Sequence, residues 1–238
     1  MTVSANVKSV KADLRTMGKK VLLVEGPDDW HALSHLIHTM TGAFPDYELG
    51  YCGNDDGVLD LLSGLTQASR QTQTLVGAIL DADQGNKETD TDSGVQARIR
   101  SLKGRIGKYY EVPDALPEGG MILLPTEELD RDRLPILGVW LMPDNVRDGI
   151  FEDLLKGSMA PESEKYISTV VDKATNDGMT GFRAVERSKA IVKTHIAWQD
   201  PNKKNIGEAI GAHFNNLDPA CRPFLDWLNR LFSFCHRV

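Results

Sequence analysis

Cysteine is scarce in this chain: 238 residues hold three, Cys52, Cys221 and Cys235, and no two form a CxxC pair. That scatter argues against a disulfide framework and against a zinc site built on paired thiolates. It points instead to a reducing compartment, the cytoplasm. Long apolar runs are missing too. None approaches the roughly 18 residues that cross a bilayer, so no membrane span is expected. The N-terminal MTVSANVKSVKADLR lacks the apolar centre of a signal peptide. Basic charge is in deficit, with 27 Lys and Arg against 34 Asp and Glu and a net charge of −7. A module that coats nucleic acid through a basic surface is usually positive. A metal-dependent enzyme is less penalised, because bound cations neutralise part of an acidic cluster. The chain carries no internal repeat and no low-complexity tract. What is present is ordinary for a globular protein: 41% hydrophobic and 26% charged residues. The length suits one large core, or one core with an appended subdomain.

The stretch KVLLVEGPDDW, Lys20 to Trp30, organises the rest. Val21 to Val24 is a short apolar run of the kind found in strands buried on both faces. Glu25 ends it, Gly26 turns the chain, and Pro27 suits the first position of a helix. Asp28 and Asp29 fall in the first turn, where negative charge favours the helix dipole. Glu25 therefore lies at the carboxyl end of a strand, where open α/β sheets place their ligands. A second apolar strand, Thr74 to Leu80, ends in Asp81-Ala82-Asp83. Two carboxylates one residue apart at a strand end can face one hard cation.

The remaining chain reads as follows. Residues 1–19 form a loose polar lead-in, with room for a short helix. Asp28 to Met40 is a helix with Trp30, Leu33, Leu36 and Ile37 toward the sheet. His31, His35 and His38 recur on one side of it. Ala32 stands where a zinc protease needs Glu, so these histidines read as a polar face. Asp46 to Cys52 is a strand, and Asp55 and Asp56 cap a helix running to about Ala68. Gln84 to Ser93 is a polar loop. Val95 to Tyr110 is the most basic stretch, with Arg98, Arg100, Lys103, Arg105 and Lys108, closed by Tyr109 and Tyr110. Two readings stand for it. It is a solvated helix face, or it contacts a phosphate backbone with an aromatic free to stack on a base. Met121 to Leu124 and Ile136 to Met142 are strands, with a charged insertion at 127–133 between them. Pro143-Asp144-Asn145 follows the second of these, then a helix, GIFEDLL, with Glu152 and Asp153. Spacing alone does not distinguish Asp144 from a capping residue. Beyond Lys156, the segments 162–176, 182–198 and 220–234 have helical apolar spacing. The βαβαβ order predicts a parallel sheet with right-handed crossovers. The expected division is a lead-in (1–19), an α/β core (20–156) and a helical C-terminal region packed on it (157–238).

VEGPDD (Val24 to Asp29) together with LDADQ (Leu80 to Gln84) resembles the Toprim domain of topoisomerases, primases and the OLD-type nucleases. The segments Gly138 to Leu155 and Lys193 to Pro201 are similar to a Toprim-related bacterial group akin to the OLD nucleases. The resemblance implies a Toprim-like, mostly parallel sheet flanked by helices. It also implies a cluster of Glu25, Asp81 and Asp83, which Asp29 can join, holding one or two Mg²⁺ or Mn²⁺ ions. Glu152 and Asp153 would complete a second metal site. Lys189 is the candidate basic phosphate contact from beyond the core, although Arg187, Lys193, Lys203 and Lys204 lie nearby. Oxygen donors favour Mg²⁺ or Mn²⁺ over zinc. Glu25 could instead serve as a general acid or base.

The chain lacks the DNA-gate domain of a topoisomerase and the zinc module of a primase, which leaves hydrolysis with water as nucleophile. The expectation is a nuclease acting on DNA or RNA, in phage defence or nucleic-acid processing. A non-catalytic Toprim module working through an ATPase partner is the alternative. A nucleotide-sugar transferase or a small-molecule phosphatase fits less well. Dehalogenase-type phosphatases need Asp after the first strand, where this chain has Glu25, and a transferase has no need of Glu25 with Asp29.

Overall fold

The computed structural model describes residues 11–43, 45–67, 72–83, 94–202 and 205–234. The expected 84–93 loop, the helix end at Ala68, and Gln84, Lys203, Lys204 and Cys235 lie outside the described residues. Five strands form one sheet: β1 (Lys20–Val24), β2 (Glu48–Tyr51), β3 (Leu75–Asp81), β4 (Met121–Leu123) and β5 (Ile136–Met142). Their order is β2-β1-β3-β5-β4. The first four are parallel, and β4 closes the edge antiparallel to β5. The apolar runs read from sequence are the three central strands. Their residues are almost all buried because helices cover both faces.

Alternation along each strand sends neighbours to opposite layers. On one face Val21, Leu23, Val76, Ala78 and Leu80 pack against α2 (Asp55–Gln67) and α3 (Val95–Ile106). On the other, Leu22, Val24, Ile79 and Trp140 meet α1 (Pro27–Thr41) and the C-terminal helices. Those helices are α4 (Phe151–Lys156), α5 (Pro161–Asn176), α6 (Arg187–Gln199), α7 (Ile206–Ala209) and α8 (Leu217–Phe232). The helical C-terminal region thus shares with α1 the cover of one face of the sheet. The longest of its apolar faces is on α8, where Phe224, Trp227, Leu228 and Leu231 are buried. Pro219 causes no break in α8, because it occupies a first-turn position whose amide would have no helical partner.

Two details differ from the sequence reading. The lead-in is attached rather than loose along residues 11–19. The Ala12 amide donates to the Tyr51 carbonyl at 2.8 Å beside β2, Met17 is buried, and the Gln73 amide group donates to the Leu14, Met17 and Gly18 carbonyls. The histidine side of α1 is not a solvated face: α7 packs there, with Gly207 close against His31 and His35. That four-residue helix is too short to show an apolar period. Among the described residues, no helix is long and apolar enough to cross a membrane.

Candidate carboxylate site

Glu25 follows β1, and Asp81 ends the neighbouring β3. In-register pairing of these strands brings the Glu25 carboxylate against the next strand end, where its Oε1 accepts from the Asp81 amide at 2.8 Å. Asp81 Oδ1 accepts in turn from the Phe151 amide, 3.0 Å away, at the start of α4. Asp29, in the first turn of α1, accepts from the Gly26 amide at 2.8 Å through Oδ2. Each of the three carboxylates is therefore aimed by one backbone N–H. Together they line one crevice, with Val24, Leu33, Ile79, Met142 and Phe151 as its apolar walls. Its volume is about 10 Å³, room for roughly one water-sized particle.

The electrostatics follow from the walls. Burial pushes the Glu25 carboxyl up to about 7, against the lowering effect of the Asp81 amide and the Arg98 charge. Burial also holds Asp81 well above the usual carboxylate range, reinforced by Glu25, Asp29, Glu152 and Asp83. Asp29 and Glu152 are raised, first by burial, while Lys189 pulls both down. Glu152 is itself buried. Lys189, on α6, would be lowered by burial, yet Glu152, Asp81, Asp29 and Asp83 raise it. The fold thus assembles Glu25, Asp29, Asp81, Glu152 and Lys189 from four separate parts of the chain.

Asp83, Asp153 and Arg98 are placed otherwise than expected. Asp83 does not line the crevice; its Oδ2 lies 2.7 Å from the Arg98 guanidinium. Asp153 turns away. Its Oδ2 accepts from the Ile150 amide at 3.0 Å, and its Oδ1 accepts from Ser188 Oγ at 2.6 Å and from Lys156 Nζ at 3.0 Å. It caps α4 and ties it to α6, which leaves Glu152 as the acid of that pair that faces the cluster. Arg98 points inward from α3 and is buried, joined to Asp55 and Asp83, so it is no surface phosphate contact. Lys103 is paired with Asp114, and Arg105 with Asp60 and Asp56. Lys108 lies over the Tyr109 ring, and Arg100 is exposed on the outer face. Tyr110 is fully buried with its hydroxyl donating to the Pro135 carbonyl, so it cannot stack on a base.

Several participants were missed by sequence reasoning. Asp55 was read as a cap but meets Arg98. Asp148 Oδ1 accepts from the Val95 amide at 2.8 Å and seats the start of α3. Asn145 is buried and holds the turn after β5, its Oδ1 accepting from the Leu141 amide at 2.8 Å. A polar residue between a strand and a helix is the only signal that could have marked Asp148 and Asn145. Asp144, for which the sequence left a site role and a capping role open, caps its own turn by accepting from the Val146 and Arg147 amides.

In donor chemistry the crevice fits a hard divalent cation. Glu25, Asp29 and Asp81 offer carboxylate oxygens, and a backbone N–H engages only one oxygen of each. Among the described residues, no three His, Cys, Asp or Glu side chains are grouped to enclose one ion.

Fold and site define a mixed α/β protein with a buried carboxylate cluster at the carboxyl ends of parallel strands. The chain belongs to the family described as "Protein of unknown function (DUF3226)", whose model matches residues 19–233. No curated protein and no solved structure matches it.

Proposed function

We propose that this protein is a Toprim-type, Mg²⁺- or Mn²⁺-dependent nuclease, related to the OLD-type enzymes, that hydrolyses phosphodiester bonds of DNA or RNA in the cytoplasm. One observation carries the reading: Glu25 reaches the Asp81 strand end at 2.8 Å, so Glu25 and Asp29 of the first motif share one crevice with Asp81 of the second, within the electrostatic reach of Lys189. Glu25, Asp29 and Asp81 would hold the cation, and Glu152 would extend the cluster toward Lys189. A bound divalent ion would polarise the phosphate and make its water more acidic. The chain's own groups supply the rest. The amides of Asp81 and Phe151 fix the carboxylates in place. Lys189 offers positive charge to a phosphate oxygen. In the alternative arrangement, with Asp29 and Asp81 alone on the ion, the Glu25 carboxyl, pushed up to about 7 by burial, is suited to take a proton from water at working pH.

The direct test is incubation of the purified protein with plasmid, single-stranded DNA and RNA in Mg²⁺ or Mn²⁺. Cation-dependent cleavage is expected, reduced at least about a thousandfold in Asp81→Ala. Absence of cleavage above the Asp81→Ala control on every substrate would refute the reading.

A second reading has its own support. Lys103 and Arg105, central to the basic stretch, are already paired with acids of the same chain. A nucleic-acid surface would then come from a partner, and an ATPase in a phage-defence assembly is the partner we favour. Robust cleavage by the isolated protein would count against this version. Co-purification with an ATPase, joined to cleavage only in the complex, would support it.

A further inference from the structure

Arg98 is the most deeply placed cation near the crevice, its side chain only 9% exposed. Its rigid fork of donors serves three acceptors. Nε donates to the Asp81 carbonyl at 2.9 Å, Nη1 to Asp55 and Nη2 to Asp83 at 2.7 Å. The helix that carries it is aimed from the site itself, since the Gly94 amide donates to the Ala82 carbonyl at 2.7 Å and Asp148 accepts from Val95.

Asp83 is unusual in its backbone. Its φ is 61°, in the left-handed region that non-glycine residues rarely adopt. In extended chain, residues i and i+2 share a face, so Asp81 and Asp83 would present both carboxylates to the same side. The left-handed turn ends that alternation. Asp81 faces the Phe151 amide, and Asp83 faces Arg98. The main chain is pinned there: Asp81, Ala82 and Asp83 donate their amides to Glu25, Met142 and Gly149 respectively. Only the Asp83 side chain is at liberty to turn, and it is 48% exposed.

We propose that Arg98 is a positioning residue, an internal counter-cation that keeps Asp83 out of the crevice, and that a divalent ion entering the crevice competes with Arg98 for the Asp83 carboxylate. The inference rests on the metal-dependent reading above. The exchange needs one side-chain rotation and no refolding. It does not strand the guanidinium, because Asp55 and the Asp81 carbonyl keep it partnered when Asp83 leaves. An unpartnered buried charge would be strongly unfavourable, so this retained pairing is what makes the exchange accessible.

The test is calorimetric titration with Mn²⁺ of wild type, Asp83→Asn, Arg98→Gln, Arg98→Lys and the two Arg98 changes combined with Asp83→Asn. Arg98→Gln should bind Mn²⁺ about tenfold more tightly, from loss of a neighbouring positive charge and release of Asp83. Asp83→Asn should then cost a larger factor in the Arg98→Gln background than in wild type. An equal factor in both backgrounds, or weaker binding in Arg98→Gln, would overturn the proposal. If Arg98→Gln does not fold, Arg98→Lys serves, because a single ammonium lacks the rigid fork that spans all three acceptors. The Asp83→Asn cost must then be larger in Arg98→Lys than in wild type, and an equal cost again overturns it. Absence of Mn²⁺ binding in every protein removes the metal reading and this one with it. Binding with strictly additive effects removes only the role of Arg98.

Discussion

Glu25 has one oxygen on a backbone amide and sits in a crevice with apolar walls that it shares with Asp29 and Asp81. Its folded-state pKa of about 7 lies above the ordinary 4.5. A raised carboxyl means that the folded state binds protons more tightly than the unfolded chain. The stability linked to this group is therefore fully present below about pH 4.5 and is lost as pH rises through about 7. The loss amounts to roughly 3 kcal/mol at most, and Asp81, Asp29 and Glu152 shift in the same direction. In EDTA, thermal melts should fall between pH 5 and 7.5, and Glu25→Gln should flatten that slope. Mn²⁺ should restore the wild type at pH 7.5 while doing little at pH 5, where the carboxyls hold their protons. Parallel melting curves for Glu25→Gln and wild type across this range would show that Glu25 is an ordinary solvated acid.

At the scale of elements, α8 lies tightly against the sheet. Gly77 on β3 pairs in register with Gly138 on β5, and together they form a smooth floor for Leu231 and Trp227. A methyl group at Gly138 would collide with Leu231 and approach the Trp227 ring. Neither neighbour has space to withdraw, because both are fully buried. Gly138→Ala should therefore cost about 1–3 kcal/mol by overpacking, read as a lower midpoint in urea with an unchanged slope. A cost below about 0.5 kcal/mol, the range of neutral surface changes, would mean that α8 is seated less tightly than described. The same seating matters to the site indirectly, since α4 and α6 reach the carboxylates from the layer that α8 completes.

For the molecule as a whole, the two sides of the sheet are unequal in origin. One layer comes from α2 and α3, both within the first half of the chain. The other needs α1 together with helices from beyond Lys156, whose Ile191, Phe224, Trp227 and Leu231 share one cluster with Leu22, Ile79 and Trp140. Residues 20–156 alone would expose a buried sheet face and lose Lys189. A fragment ending at Lys156 should accordingly aggregate or lack the near-ultraviolet circular dichroism of fixed tertiary packing. Limited proteolysis of the intact chain should yield no stable fragment with that boundary. A soluble, cooperatively melting 1–156 fragment would show instead that the first part is an independent domain.

The central strands and their acidic ends were legible in the sequence for a local reason. A strand buried on both faces must be apolar at every position, so the first charged residue after such a run marks its end; Glu25 and Asp81 were found this way. The helix starts at Pro27 and Asp55 were legible through the chemistry of the first turn. Tertiary packing alone decided which charges meet. On α3 the helical period sets the angle of Arg98 relative to its neighbours, but only the seating of the helix on the sheet turns Arg98 toward Asp83 and Lys103 outward. Adjacent on one short helix, Glu152 and Asp153 part company because one side packs toward Asp29 and Lys189 and the other toward Ser188. Lys189 comes within the electrostatic influence of the carboxylates through the packing of α6 on α4. Such contacts join segments far apart in the chain, and no local pattern records them.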